Sequence, residues 1–281
     1  MIYWFKTPQK YWLNKNNISP KEIFIHHPDE EYVSNLQKSQ LITKIIQQVE
    51  IDNHNIIDDL NELNINDQLA ENGIIMPKNS IFTKEKEIKD LLNSLCESLS
   101  QHNKINKIYV KLNANKEEYL IDDETVIELI NTKLSLSRLT EAWIKLLFIS
   151  SLKRNIKRTK VIFRTENNYK SQIIQSPGAT ESNLILEEYI NIFKNYSEKC
   201  LPLPPESAYK YVEAKIKSKN EKKAFKEKWI GNKNFSKGER DYIEMKMCFG
   251  NEKEPDFFLG NNNFDQLSCR LYGPLIKALK K

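Results

Sequence analysis

Three acidic residues and a lysine on neighbouring segments are the residue types of a metal site for phosphodiester chemistry. Asp122 and Asp123 follow one strand-like segment, and Glu128 lies in the next, Thr125–Ile130. Carboxylates on adjacent strands can hold Mg²⁺, which activates water, while a lysine two positions after the second carboxylate orients the nucleophile. The first lysine after Glu128 is Lys133, past the end of the strand, where it cannot share the metal-facing side. The spacing therefore predicts a degenerate metal site that cannot cleave phosphodiesters.

Acidic-x-Lys triplets do occur elsewhere, at Glu87–Lys89, Glu213–Lys215 and Glu244–Lys246. Each falls in a stretch with helical periodicity, and a chain with 29% charged residues contains such triplets by chance. We therefore predict no catalytic residue and no metal ligand. An active Mg²⁺-dependent exonuclease is the alternative.

Other catalytic motifs are absent from the sequence. Neither GxxxxGK[ST] nor GxGxxG occurs, which argues against ATP hydrolysis by this chain. HExxH and G-x-S-x-G are also missing, and His26-His27 has no third ligand at a standard spacing. The four cysteines are far apart in sequence and form no CxxC pair, so we expect free thiols in a reducing compartment. They are Cys96, Cys200, Cys248 and Cys269.

The elements that would position this site follow the order strand, strand, strand, helix, strand, strand between Ile105 and Ile174. Apolar residues recur every three or four positions in Ser135–Leu152, which predicts a largely buried helix. The strands are predicted at Lys107–Leu112, Glu118–Ile121, Thr125–Ile130, Thr159–Thr165 and Tyr169–Ile174. This order suits a restriction-endonuclease-like (PD-(D/E)XK-type) core. We therefore predict an α+β fold with a mixed sheet, a degenerate active site and surrounding helices.

Helices are predicted on both sides of this core. We divide the chain into a helical region at 1–104, the nuclease-like core at 105–199 and a mostly helical region at 200–281. The predicted helices are Met1–Asn16, Leu36–Glu50, Asn55–Asn64, Asn66–Asn72, Thr83–His102, Ser182–Lys199, Glu206–Ile216, Glu239–Phe249 and Asn263–Leu279. The aromatic residues of the first helix could dock on a core or stack on bases.

Positive charge is concentrated in two stretches, although the formal net charge is only +5. The stretches are Lys153–Arg164 and Lys199–Arg240. Such runs are either solvated surface or phosphate-facing patches. The candidate DNA-binding residues are Lys153, Arg154, Lys157, Arg158, Lys215, Lys217, Lys222 and Lys223. Trp229 or Phe235 could be a stacking wedge, with a core or interface role as the alternative.

The N-terminal stretch MIYWFKTPQKYW is interrupted by Lys6, Pro8 and Lys10, so it does not resemble a secretory signal. No apolar run reaches the length that spans a membrane. We expect a cytoplasmic protein with no membrane partner.

Six short segments stand out along the chain: Phe5–Leu13 (FKTPQKYWL), Leu69–Pro77 (LAENGIIMP), Lys133–Leu147 (KLSLSRLTEAWIKLL), Cys200–Tyr209 (CLPLPPESAY), Gly238–Tyr242 (GERDY) and Leu271–Leu275 (LYGPL). In this order they resemble the C-terminal part of the RecC family, the gamma subunits of exodeoxyribonuclease V (the RecBCD complex). Complete members are several times longer and carry helicase-like domains upstream. The resemblance therefore implies a fragment, a separate reading frame or a domain, which should not recognise Chi alone.

The resemblance also implies a function. The family's C-terminal domain is similar to the nuclease domain of the beta subunit but lacks its catalytic residues, and active relatives carry Gln and Tyr where this chain has Arg138–Trp143. We expect a non-catalytic scaffold of a helicase-nuclease in double-strand-break repair by homologous recombination. Its partners would be beta (RecB-like) and delta (RecD-like) subunits and DNA at the unwinding fork. Mg²⁺ and ATP would be used by those subunits. A subunit-interaction module without DNA contact is a further alternative.

Overall fold

The structure, a computed structural model, describes residues 1–19, 40, 42–44, 67, 78–100, 105–112, 115–152, 155–232, 236–251 and 253–279. The helices predicted within Leu36–Asn72, and the motif Leu69–Pro77, fall mainly or wholly outside these residues. The helices are α1 (Ile2–Lys6), α2 (Pro8–Lys15), α3 (Lys78–Ser100), α4 (Leu136–Ser151), α5 (Ala179–Tyr196), α6 (Pro205–Ile216), α7 (Glu221–Ile230), α8 (Ile243–Phe249), α9 (Pro255–Leu259) and α10 (Phe264–Ala278). The strands are β1 (Asn106–Leu112), β2 (Asn115–Asp122), β3 (Thr125–Ile130), β4 (Arg158–Arg164), β5 (Tyr169–Gln175), β6 (Gly231–Asn232) and β7 (Ser236–Lys237).

Five strands form one mixed sheet in the order β1-β2-β3-β4-β5. β1 pairs antiparallel with β2, and β2 pairs antiparallel with β3. The turn between β2 and β3 places Asp123 at φ 48, a left-handed conformation that Asp tolerates better than most residues. β3 then pairs parallel with β4, with Thr125 opposite Arg158. The predicted α+β class and mixed sheet are confirmed.

The chain forms two compact units, each built from separate stretches. The first unit contains Met1–Phe24, Ser135–Lys157 and Ile174–Lys281, and the second contains Ile25–Leu134 and Arg158–Ile173. The boundaries predicted after residues 104 and 199 stay a prediction.

In the second unit, α3 packs against one face of the sheet. Five apolar residues of this helix are buried in one cluster, and they are Ile88, Leu91, Leu92, Leu95 and Leu99. Ile127, Ile162 and Tyr169 contribute the sheet side of that cluster. The Tyr169 backbone N–H donates to Ser94 Oγ at 3.0 Å, which fixes β5 to the helix.

In the first unit, α4 forms the buried centre that its periodicity predicts. Ser135 caps the helix by accepting from the Arg138 N–H at 3.3 Å. Trp143, Leu146 and Leu147 are almost fully buried. α4 packs against α1 and α5.

The aromatic residues at the N-terminus dock on this unit. Trp4 and Phe5 are 1% and 6% exposed, and their rings contact Phe193 and Tyr189 of α5 respectively. Of the two roles open for the N-terminal aromatic residues, docking on a core is the one observed for Trp4 and Phe5, while Tyr3 is 42% exposed.

The C-terminal helices of the same unit close around an aromatic cluster. Phe225 of α7 contacts Phe258 of α9 and Phe264 of α10, and all three are buried. Pro205 is the first residue of α6, where a missing N–H costs nothing. Among the described residues, no helix is both long and apolar enough to cross a membrane.

Candidate nucleic-acid interface

The sheet register separates the carboxylates that a metal site would need. Asp122 is paired with Thr125, and Ile121 with Val126. Residues directly opposite each other in an antiparallel pair share a face, and alternate residues of a strand point to opposite faces. Asp122 therefore lies on the face of Thr125, while Glu128 lies on the other face with Val126. The two carboxylates cannot bind one metal ion in this register.

Lys133 is also directed elsewhere. Its Nζ donates to Glu166 Oε1 at 2.7 Å in an exposed ion pair beyond the end of β3. The triplets at Glu87–Lys89, Glu213–Lys215 and Glu244–Lys246 lie in α3, α6 and α8, as predicted. Across the described ranges, no three His, Cys, Asp or Glu side chains are grouped so that they could hold a metal ion. These residues do not fit a Mg²⁺ site.

Five of the segments that carry the family resemblance are joined to one another by polar contacts, most of them buried. Gln9, fully buried in α2, donates through Nε2 to the carbonyl oxygens of Leu201 at 2.8 Å and Leu203 at 3.0 Å. Lys6 donates to Glu141 Oε2 of α4 at 2.6 Å. These contacts fix the segment Phe5–Leu13 to both Cys200–Tyr209 and Lys133–Leu147.

A second joint runs through Tyr189. Trp143 Nε1 donates to Tyr189 Oη at 3.2 Å, and this hydroxyl donates to the Leu271 carbonyl oxygen at 2.7 Å. KLSLSRLTEAWIKLL is therefore connected to LYGPL through the middle of α5.

A third joint connects GERDY to CLPLPPESAY. Glu239, 1% exposed, accepts from the backbone N–H groups of Glu206 at 2.9 Å and Ser207 at 2.6 Å, and from Ser207 Oγ at 2.6 Å. The carboxylate thus caps the N-terminus of α6, where an anion also meets the helix dipole. Burial raises the pKa of Glu239 to about 7, although the hydrogen bonds from Ser207 and Glu206 act to lower it. The Glu239 carboxylate of the segment Gly238–Tyr242 therefore has a structural role.

The model of the RecC C-terminal domain family matches residues 1–216. This chain belongs to the RecC C-terminal domain family. Membership implies a role in DNA repair as part of a RecBCD-type complex. No curated protein matches the chain.

The first candidate set for DNA contact in this RecC-type domain is only partly described. Lys153 and Arg154 lie outside the described residues. Lys157 is exposed in the first unit. Arg158 begins β4 in the second unit, where its Nε donates to Thr125 Oγ1 at 2.9 Å.

Lys157 lines an open cleft of about 560 Å³ at the start of α5. The cleft also contains Asn155, Gln175, Ser176 and Gly178. Gly178 is the N-cap residue with φ 92, and no side chain caps the helix. The first N–H groups of an α-helix have no intrahelical acceptor, so α5 presents donors and a partial positive charge at the cleft. The cleft therefore combines a cation with a helix N-terminus, an arrangement that suits phosphate oxygens.

The second candidate set is largely paired with carboxylates. Lys215 pairs with Asp265, Lys217 with Glu213, and Lys223 with Glu227 at 3.8 Å. Lys222 is exposed and has no ion-pair partner among the residues described. Exposed ion pairs of this kind contribute only about 0–1 kcal/mol to stability, so a phosphate could replace the carboxylate. The carboxylates nevertheless already compensate part of the positive charge of these lysines.

The aromatic wedge is not formed by Trp229. Its side chain is 1% exposed, and Nε1 donates to the Lys253 carbonyl oxygen at 2.8 Å, so the core role is the one observed. Phe235 lies outside the described residues. Sequence reasoning missed the cleft at α5, although Ser176-Pro177-Gly178 before an amphipathic helix was a readable signal for an uncapped N-terminus.

Proposed function

We propose that this chain is a non-catalytic scaffold and DNA-path domain of a RecBCD-type helicase-nuclease that acts in double-strand-break repair by homologous recombination. Its sheet would be a restriction-endonuclease-like core with a degenerate active site. The order of three antiparallel strands, a helix and a parallel fourth strand supports this fold assignment. Mg²⁺ and ATP would be used by partner subunits.

The observation that carries the non-catalytic part is the register of β2 and β3. With Asp122 and Glu128 on opposite faces of the sheet, recovering a metal site would require β3 to shift by one residue. Such a shift would also turn Ile127 out of its cluster with α3. The core is therefore stabilised by the same register that separates the carboxylates.

The scaffold role is supported by what the family segments do in the fold. Gln9, Tyr189 and Glu239 each connect two of these segments through buried hydrogen bonds. Buried polar groups of this kind fix one arrangement of the elements, since leaving any partner unsatisfied is costly. A rigid platform is what a subunit needs to hold neighbouring beta and delta subunits.

The DNA path is supported by the cleft at Lys157. We place a backbone phosphate between this lysine and the N-terminus of α5. Lys153, Arg154 and Arg158 remain candidates for phosphate contact from their charge in the sequence alone. Binding through phosphates would be sequence-independent and would weaken as salt rises.

Two charge-matched variants test this placement. In one, Lys153, Arg154, Lys157 and Arg158 become Ala, and in the other Lys215, Lys217, Lys222 and Lys223 become Ala. Each removes four positive charges, so a difference between them reports position rather than net charge. By fluorescence anisotropy with a forked duplex at low salt, we expect the first variant to lose about tenfold or more in affinity and the second to lose less. Unchanged affinity in the first variant would show that these four residues do not bind DNA. Equal losses of affinity in the two variants would show that only the net charge of the chain matters.

A subunit-interaction module without DNA contact is the second candidate. Exposed apolar side chains in the first unit favour it, among them Leu184 at 60% and Met247 and Phe257 at 47% exposure. Co-purification with beta- and delta-type subunits without fork binding at low salt would select this alternative.

A further inference from the structure

Phe257 of α9 is an aromatic side chain that the fold leaves in contact with solvent. It is 47% exposed, whereas the other phenylalanines that the structure describes are buried or half-buried. The next residue, Phe258, is 0% exposed. Phe257 also lies beyond residue 216, where the match to the family model ends. Its exposure is therefore a feature of this chain for which the family match gives no reason.

The ring of Phe257 is held in place by the structure beneath it. Phe258 meets this ring edge to face with the centroids 5.1 Å apart, and the centroid of the Phe249 ring in α8 lies 6.4 Å away. Trp229 Nε1 donates to the Lys253 carbonyl oxygen at 2.8 Å, which fixes the chain just before α9. Because the ring is already positioned, a second flat ring can stack on it at a small cost in conformational entropy.

Positive charge lies close to the exposed ring. Lys253 places its Nζ 3.8 Å from the centroid of the Phe257 ring. Lys226 of α7 pairs at 3.3 Å with Asp256, the residue before Phe257, and this ion pair is exposed. Lys222 is one turn before Lys226, so the two lysines occupy the same face of α7. The basic face of α7 therefore reaches the exposed ring of α9.

We propose that Phe257 is a stacking platform for single-stranded DNA, with phosphates bound by Lys222, Lys226 and Lys253. The proposal rests on the DNA-binding role proposed above, and it gives a role to part of the second basic stretch, Lys199–Arg240. Every base has a flat π face that can stack on an aromatic ring, while the neighbouring phosphates need cations. The bases of a duplex already stack on one another, so the platform selects single strands.

Two weak contacts of the free protein are replaced when the strand binds. A lysine over an aromatic ring at an exposed site contributes less than a base stacked on that ring. The base therefore displaces the Lys253 ammonium, which stays within reach of the phosphate beside that base. The exposed pair of Lys226 with Asp256 is likewise weak enough for a phosphate to replace the carboxylate.

A protein partner would use the same ring differently. A subunit interface requires apolar surface, which leucine also provides, whereas stacking requires a flat π system. Phe257→Leu separates these two partners, because it keeps the side chain apolar and removes the aromatic face. Tyr3→Leu is the matched control, since Tyr3 is exposed to a similar degree, 42%, but lies in α1.

The binding test measures the affinity of the full chain for a single-stranded dT oligonucleotide and for a blunt duplex, by fluorescence anisotropy at several salt concentrations. We expect Phe257→Leu to bind the single strand about tenfold more weakly with an unchanged salt dependence, and Tyr3→Leu to match wild type. Changing Lys222, Lys226 and Lys253 to Ala should lower the slope of log affinity against log salt by about two, since each phosphate contact on a single strand contributes roughly 0.7. Wild type and Phe257→Leu should bind the duplex equally.

Photocrosslinking locates the stacked base without any variant. The full wild-type chain is irradiated with an oligonucleotide that contains 5-iodouracil, and the crosslinked tryptic peptide is sequenced by mass spectrometry. We expect the crosslink at Phe257, within the peptide Glu254–Arg270. This result decides the proposal even if a variant folds poorly.

The outcomes separate this proposal from the DNA-binding role on which it rests. Equal single-strand affinity of wild type and Phe257→Leu, or no crosslink at Phe257, would overturn the stacking platform while duplex binding stands. A wild-type chain that binds neither the single strand nor the duplex would overturn the DNA-binding role as well.

Discussion

Gly238 is a residue whose importance is steric. A Cβ at this position would lie 2.3 Å from the Ile230 carbonyl carbon and 2.3 Å from the Trp229 carbonyl oxygen. Such distances cannot be tolerated without moving backbone. Gly238→Ala should therefore lower the free energy of unfolding by more than about 2 kcal/mol in urea titrations.

Gly273 is the matched control for this substitution. It is also buried and belongs to a family segment, but an added Cβ would meet nothing within 4 Å. Gly273→Ala should change stability by no more than about 1 kcal/mol, with helix propensity favouring Ala. Similar losses in the two variants would show that close backbone approach is not what Gly238 provides.

Glu239 makes stability depend on pH. Burial lets the folded carboxyl keep its proton up to about pH 7, while an ordinary Glu loses it near 4.5. The stability that this group contributes is therefore complete below about pH 4.5 and is lost as the pH rises through the folded pKa of about 7. Between pH 5 and 7, wild type should lose stability relative to Glu239→Gln, with a slope of at most about 1.4 kcal/mol per pH unit. Parallel profiles from thermal unfolding of the two proteins would contradict a raised pKa.

At the residue scale, sequence could predict the missing lysine after Glu128 but not the partners of charged groups. Lys160 belongs to the same basic run as Lys157, yet it is 9% exposed and donates to the Ser98 carbonyl oxygen at 3.1 Å. Burial, followed by the charge of Arg158, lowers its pKa. Lys160 lies within β4 and contacts α3, whereas Lys157 precedes the strand, and neither fact is visible in charge composition.

At the element scale, Gln9 is the polar group that holds the N-terminal helices. Gln9→Ala would leave the Leu201 and Leu203 carbonyl oxygens without this donor in a buried place. We expect a loss of about 1–3 kcal/mol in the free energy of unfolding. Lys10→Ala, at the exposed neighbouring position of α2, should be nearly neutral. Equal stability of the two variants in urea titrations would show that the Gln9 hydrogen bonds do not stabilise the packing of the N-terminal helices.

Helices with a strong apolar periodicity were predictable from the sequence. Helices whose apolar residues are few, or whose ends depend on contacts with distant residues, were not. α4 and α10 occupy nearly the predicted ranges because their apolar faces are continuous. α3 was also predicted, but it begins at Lys78, five residues before the predicted start at Thr83. α7 was missed because its four apolar residues, Ala224, Phe225, Trp229 and Ile230, stand among six charged ones. The helix predicted at Glu239–Phe249 is instead a short 3₁₀ turn at Glu239–Asp241 followed by α8. Glu239 has its carboxylate engaged in capping α6, a contact made by residues more than thirty positions away.

For the whole molecule, fold class was accessible from sequence and the grouping of elements was not. The order of strands and helices predicts a mixed sheet, because a helix between β3 and β4 allows their parallel pairing. Each compact unit, however, draws on stretches far apart in the chain, since Ser135–Lys157 joins the unit that contains the N-terminus. Such grouping depends on joints like Gln9 to Leu201, for which the sequence contains no periodic signal.

The proposed domain binds DNA without cleaving it, and one gel assay measures both properties. The full chain is incubated with Mg²⁺ and an end-labelled forked duplex that carries a single-stranded tail, and the products are resolved on native and denaturing gels. We predict a shifted fork at low salt with every strand at full length, and the same pattern for Glu128→Ala. Shortened strands that disappear in Glu128→Ala would contradict the account, and so would a fork that stays unbound.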